Sequence, residues 1–317
     1  METYAVGTAV AARGERAFGT IPVPGLDVAL PVAVLHGRRP GPTVCVTAGI
    51  HGAEYVGIEA AIRIIHTLDP QRLRGTVVVV PVTNPPAFAA RAIYVCPLDG
   101  RNLNRVFPGA PEGTASERIA HAVFTAAIAR ADAYIDLHGG DLNEALLPFT
   151  LYHGRAAPEV VARARAMADA FGIRHVVDGV VEGAAYAAAA VAGIPAILPE
   201  AGGQGVLDPA MVRVHTRGVV NVLRHLGVLR GRPARGRPPV RVVAFPWIRS
   251  AHAGLFYPRV RVGDRVEAGA LVGELRDWFG RPLTEVTSPA SGVVLFVVTA
   301  PATNPGDPLL AVGVTEG

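Results

Sequence analysis

A chain of 317 residues, half of them hydrophobic and 18% charged, is too apolar for a disordered segment and long enough for one large domain with a small one beside it. The formal net charge of +4 rests on arginine alone, because none of the 30 basic residues is lysine. Those arginines are scattered, apart from residues 230–237, and no aromatic residues interleave with them, so no nucleic-acid surface is expected.

Residues 1–14 lack the apolar core of a signal peptide, and no run reaches the ~18 apolar residues of a membrane span. Cys45 and Cys96 supply neither a disulfide framework nor a metal knuckle, which fits a reducing cytoplasm. Residues 43–49 form a short apolar run ending in glycine, and residues 75–82 (GTVVVVPV) form another. Between them, apolar residues at helical spacing predict a helix over 59–68, which makes a parallel βαβ unit. The alternation continues with a helix over 116–130, a strand over 133–137, a helix over 158–171, a short strand over 196–198 and a helix over 211–226. An α/β domain follows over residues 1–229, with a mixed sheet flanked by helices. Residues 230–239, rich in proline, glycine and arginine, read as a linker. Residues 240–317 change texture: short strand-like runs (VRVVAFPW, LVGEL, GVVLFVV, LLAVGV) between Gly, Asp, Pro and Ser turns predict a small all-β domain.

Residues able to do chemistry collect at the predicted strand ends. His51 and Glu54, in AGIHGAEYVG, follow the first strand directly, at the carboxyl end where open α/β sheets bind ligands. His138, in DAYIDLHGG, closes another strand, and the two-residue period puts Asp136 on the same side, placed to orient a neighbour. Two histidines and one glutamate make three protein ligands with a fourth position open, the catalytic and not the structural zinc arrangement, one ion per chain. Glu200 ends a third short strand before a glycine-rich loop, where a carboxylate can take a proton from activated water and return it to a leaving amine. A turn-rich loop, DGRNLNRVFPG, carries Arg101, Asn102, Asn104 and Arg105. Arginine's planar fork and asparagine's directed donor suit an anionic substrate end.

Taken in order over roughly residues 20–225, these segments resemble the succinylglutamate desuccinylase/aspartoacylase family, relatives of the zinc carboxypeptidases. The shared pattern is G-x-H-G-x-E at 49–54, N-P-P-A-F at 84–88, N-L-N-R-x-F-P-G at 102–109, D-L-H at 136–138 and E-x-G-x-Q-G at 200–205. The resemblance implies a zinc carboxypeptidase-like fold and an N-acyl amino acid amidohydrolase. Its zinc would sit on His51, Glu54 and His138, its general base would be Glu200, and Asn104 with Arg105 would bind a substrate carboxylate. Relatives often carry a further arginine shortly before the D-G turn that polarises the scissile carbonyl. Here that stretch reads AIYV over 92–95, with Tyr94 near the expected place, and Arg91 or Arg101 could substitute.

The C-terminal region has its own likeness: V-G-D at 262–264, Val266, Gly269 and S-P-A-S-G-V at 288–293 resemble the biotinyl/lipoyl-type barrel. A carrier of that kind needs a lysine to acylate, so the module is expected to be structural, shaping the site, with a face on which copies of the chain could form a homo-oligomer. Two other functions stay open at this level. One is a metallocarboxypeptidase using the same centre on peptide C-termini. The other is a non-catalytic protein that binds metal or ligand without turnover.

Overall fold

The computed structural model describes residues 2–234 and 236–316; Arg235, in the expected linker, lies outside them. Twelve strands run side by side through one long mixed sheet. Its centre holds Arg39–Ala48, Ala133–Leu137 and Ala196–Glu200, all parallel, with Arg74–Val80 parallel on the far side of Arg39–Ala48. These are the buried, β-branched runs that a sheet covered on both faces requires. Alternation along them divides the core. Val44, Val46, Ile135 and Leu137 face the helices Tyr55–Thr67, Pro158–Phe171 and Pro209–His225, while Cys45, Val78 and Tyr134 face Ala115–Ala126 and Ala185–Val191.

The expected α/β sheet with flanking helices is present. The helix predicted over 59–68 begins earlier, at Tyr55, because the turn carrying His51 and Glu54 is tight. That turn needs its glycines. Gly49 takes a left-handed φ of 65°, and a Cβ on Gly52 would lie 2.2 Å from the Phe88 backbone nitrogen. Asn84 ties this turn to the helix Pro85–Ala90: its Oδ1 accepts from Ala87 N–H and its Nδ2 donates to the Ile50 carbonyl.

Sequence pattern alone does not pick out the antiparallel neighbours Glu15–Pro22, Ala29–His36 and Phe149–Tyr152, or the strand His175–Asp178. Beyond His175–Asp178 the sheet continues into the last eighty residues. Val240–Ala244 pairs parallel with His175–Asp178 and antiparallel with Pro308–Thr315, which pairs in turn with Gly292–Val298. A four-stranded antiparallel sheet (Pro282–Thr287, Leu271–Arg276, Gly254–Pro258, Ala302–Thr303) accompanies these strands over a third core that includes Phe256, Val272, Leu275 and Leu310. Among the described residues, the last eighty are thus built on two sheets, one of them continuous with the α/β sheet. One further pairing bears on the site: the short strand Glu144–Leu146, from the first part of the chain, runs antiparallel to Gly292–Val298.

Candidate metal centre and active site

Three adjacent parallel strands end together, and their register decides what meets. Ala48 pairs with Leu137, and His138 bridges to Glu200, so the residues just past each strand share one small volume. Glu54, almost fully buried, sits between the histidines with Oε1 2.6 Å from His51 Nδ1 and Oε2 2.9 Å from His138 Nδ1. Gly139 N–H donates to Oε2 at 3.2 Å. The outward nitrogens have partners of their own: His51 Nε2 lies 3.1 Å from Asn102 Oδ1, and His138 Nε2 lies 3.2 Å from Asp136 Oδ2.

Asn102 Oδ1 assigns a proton to His51 Nε2, and the charge of Asp136 favours one on His138 Nε2, which turns both Nδ1 lone pairs toward the carboxylate. Three bases pointed at one another in a buried space repel unless a cation lies among them. One ligand atom from each residue falls within 4.8 Å of the others, so the donor set fits a single divalent ion of borderline softness. The carboxylates around the site favour positive charge on it, whether carried by a metal ion or by a proton on His138. Burial would raise the Glu54 carboxyl, but the two imidazoles draw it down to about 2. Burial would lower the His138 imidazole, but the charges of Glu54 and Asp136 hold it well above its ordinary range.

Asp136 is wholly buried on the same strand face as His138 and Tyr134, as the two-residue period requires. Thr47 Oγ1 donates to its Oδ1 at 2.7 Å and lies 2.5 Å from the Tyr134 hydroxyl, so the carboxylate behind His138 is itself fixed. Glu200 lines the same cavity, with Oε2 buried and without a hydrogen-bond partner. Burial first, and then the neighbouring Glu54 charge, push its carboxyl well above the usual range.

The NLNR loop divides between structure and site. Asn102 Oδ1 accepts from Asn104 N–H while facing His51. Asn104 is buried, accepts from Ala185 N–H at 2.9 Å and places Nδ2 3.5 Å from His138. Arg105, exposed at the cavity mouth, donates to the Asn104 carbonyl at 2.7 Å and lines the cavity. Arg101 is not brought to it: its guanidinium is 3.3 Å from Glu117 on an exposed face. Tyr94 and not an arginine stands beside His51, the two rings edge to face at 6.4 Å.

The cavity, about 170 Å³, also has walls that sequence reasoning does not find: Glu144, Leu146, Phe149, Phe245, Trp247 and Phe296. Phe245, Trp247 and Phe296 come from the C-terminal region. They pack in series with Phe149, tilted or edge to face, at ring separations of 4.8–5.4 Å. Only their aromatic character inside strand-like runs could have signalled them.

Residues 40–226 match the family model described as the succinylglutamate desuccinylase/aspartoacylase catalytic domain. The chain belongs to that family. It is 32% identical over 257 residues to an N-alpha-acetyl-L-2,4-diaminobutyric acid deacetylase from Halomonas elongata, a match covering 79% of this chain and 75% of that one. Among solved structures, it is similar to a succinylglutamate desuccinylase/aspartoacylase from Rhodobacter sphaeroides (30% identity, TM-score 0.84, covering 95% of this chain and 96% of the other). It is also similar to the product-bound ectoine utilization protein EutE (DoeB) from Ruegeria pomeroyi (28% identity, TM-score 0.85, 95% of each chain). The His–Glu–His cluster and this membership together make the chain a metal-activated amidohydrolase that removes an acyl group from an N-acylated amino acid. Among the described residues no helix is long and apolar enough to cross a membrane.

Proposed function

We propose that the metal is zinc, one ion held by His51, Glu54 and His138, and that Glu200 is the general base of an N-acyl amino acid deacylase. The observation that carries this reading is the Glu200 carboxylate, its Oε2 buried and unpartnered, beside a converging His–Glu–His set. Bound there, zinc would supply Lewis-acid polarisation of the amide carbonyl and acidification of a water. Glu200 takes the proton of the attacking water and returns it to the departing amine. Its enclosure, which disfavours the charged form, makes it a stronger base than an exposed carboxylate. Arg105, with Asn104 beside it, holds the substrate carboxylate and fixes the amide over the centre. Asp136 and Asn102 keep the two imidazoles in the tautomer the metal requires.

The relative that acts on N-alpha-acetyl-L-2,4-diaminobutyric acid makes that compound the first substrate to assay, and a cavity this small favours a short acyl group. The C-terminal module keeps the biotinyl/lipoyl-type plan as scaffold, closing the cavity with its aromatic residues. Both cysteines are buried and unpaired, consistent with a cytoplasmic protein. A panel of N-acetyl amino acids assayed beside short peptides tests the reading. Release of acetate is expected; release of C-terminal residues without deacylation would turn it into a carboxypeptidase.

A further inference from the structure

Glu144 lines the cavity but has no part in the chemistry described above. Its Oε1 accepts from the Tyr94 hydroxyl at 2.7 Å and its Oε2 from the Asp141 N–H at 2.8 Å, and among the described residues no cation pairs with it. A half-buried carboxylate with only a phenol and an amide for company is unfavourable, and burial pushes it up to about 7. A cation placed beside it would relieve that cost and keep the carboxylate ionised.

The surroundings hold Glu144 firmly. Its strand is clamped to the C-terminal module: Glu144 lies opposite Val298, Leu146 opposite Phe296, and Thr299 N–H donates to the Asn143 carbonyl at 2.7 Å. Tyr94 adopts a left-handed φ of 59°, an uncommon backbone for an aromatic residue. It is kept there by its N–H donating to Asp141 Oδ2 at 2.9 Å and its hydroxyl donating to Glu144. Two segments distant in sequence are thus pinned so that one carboxylate faces the cavity. Arg105 stands elsewhere in the wall, beside Asn104 and near Tyr186 and Glu200. The cavity wall therefore presents a guanidinium and a separate carboxyl group, the complement of a molecule that bears a carboxylate and an ammonium.

We infer that Glu144, positioned by Tyr94 and the C-terminal module, is a specificity-determining residue that receives the side-chain ammonium of an N-acylated diamino acid while Arg105 receives its carboxylate. This rests on the deacylase reading above. The acetyl derivatives of L-2,4-diaminobutyrate, L-norvaline and L-glutamate, which carry a cationic, a neutral and an anionic side chain, are to be assayed with the zinc-loaded protein. The expected kcat/KM is at least ~10-fold higher for the cationic compound than for the neutral one, a margin that a charge-assisted contact in a dry site supplies. Glu144→Gln, nearly isosteric, is expected to lower the cationic-to-neutral ratio at least ~10-fold, and Tyr94→Phe to lower it less. An unchanged ratio in Glu144→Gln, an equal loss on all three compounds, or a wild-type preference for the anionic one overturns the assignment.

Calorimetric titration of the wild-type zinc protein with the free amino acids gives a second readout that needs neither variant nor turnover. Binding of 2,4-diaminobutyrate at least ~10-fold tighter than norvaline is expected, and equal affinities overturn the inference. If none of the acetyl compounds is hydrolysed but this difference in affinity holds, the deacylase reading fails and the ammonium subsite stands.

Discussion

On the floor of the cavity, His51, Glu54, His138 and Glu200 come from the ends of three adjacent parallel strands, whereas its roof is Phe245, Trp247 and Phe296 from the last eighty residues of the chain. The floor is polar, and its geometry follows from strand register: once Ala48 pairs with Leu137 and His138 with Glu200, these side chains have nowhere else to be. The roof is apolar and depends on a sheet extended through Val240–Ala244. Glu144 belongs to both, a residue of the first region held in register by the second. The difference teaches that the reacting groups are fixed by local topology, while the shape and charge of what enters are fixed by contacts far apart in sequence.

The comparison breaks most sharply at the floor. Glu200→Gln is expected to lower kcat by ~10³-fold with metal still bound one to one, because the base and not the ion is lost. Chelation should abolish wild-type activity and zinc should restore it, while His138→Ala should fail to hold stoichiometric metal. Elemental analysis beside the assay separates the two defects. Undiminished activity in Glu200→Gln would sink the proposed mechanism.

At the seam between floor and roof, pH reports on Glu144. Its carboxyl is raised in the fold from 4.5 to about 7, so across that window the folded chain keeps a proton the unfolded chain has released. Stability contributed by this group is therefore lost as pH rises through the window, up to ~3 kcal/mol. Glu144→Gln removes the titration, so its stability relative to wild type should increase between pH ~5 and pH ~8 in urea denaturation. A constant difference would show that the Glu144 carboxyl titrates normally.

The two arginines of the NLNR loop sharpen the contrast between a residue in the cavity and one on the surface. Arg105→Ala should raise KM by roughly 10²-fold with a smaller change in kcat, while Arg101→Ala, whose guanidinium meets Glu117, should change kcat/KM by less than ~2-fold. Equal losses would return Arg101 to the substrate. Smallest, Trp247→Ala opens the roof, and a several-fold rise in KM for short acyl groups with relief for longer ones is expected. The same profile as wild type would leave the roof without a part in selectivity.

Much of the floor was legible in the sequence because each of its residues sits just past an apolar run, and such runs declare strands and their ends. The central strand over 133–137 and the helix over 158–171 follow directly from period and boundary residues. His51, Glu54, His138 and Glu200 were individually weak signals, and gained weight from recurring at strand ends in one order. What the sequence could not show is which strands become neighbours, since hydrogen-bond register between segments ninety residues apart leaves no mark on local periodicity. Only the tertiary structure sent Arg101 to Glu117 and Arg105 to the cavity, although the two lie four residues apart in one loop. It alone placed Glu144 opposite Val298 and brought an aromatic wall over a metal centre that begins with residue 51. Alternation along a strand is a property of a few residues and can be read from them. The meeting of distant surfaces is a property of the packed whole, where burial and pairing select one arrangement from many the local pattern allows.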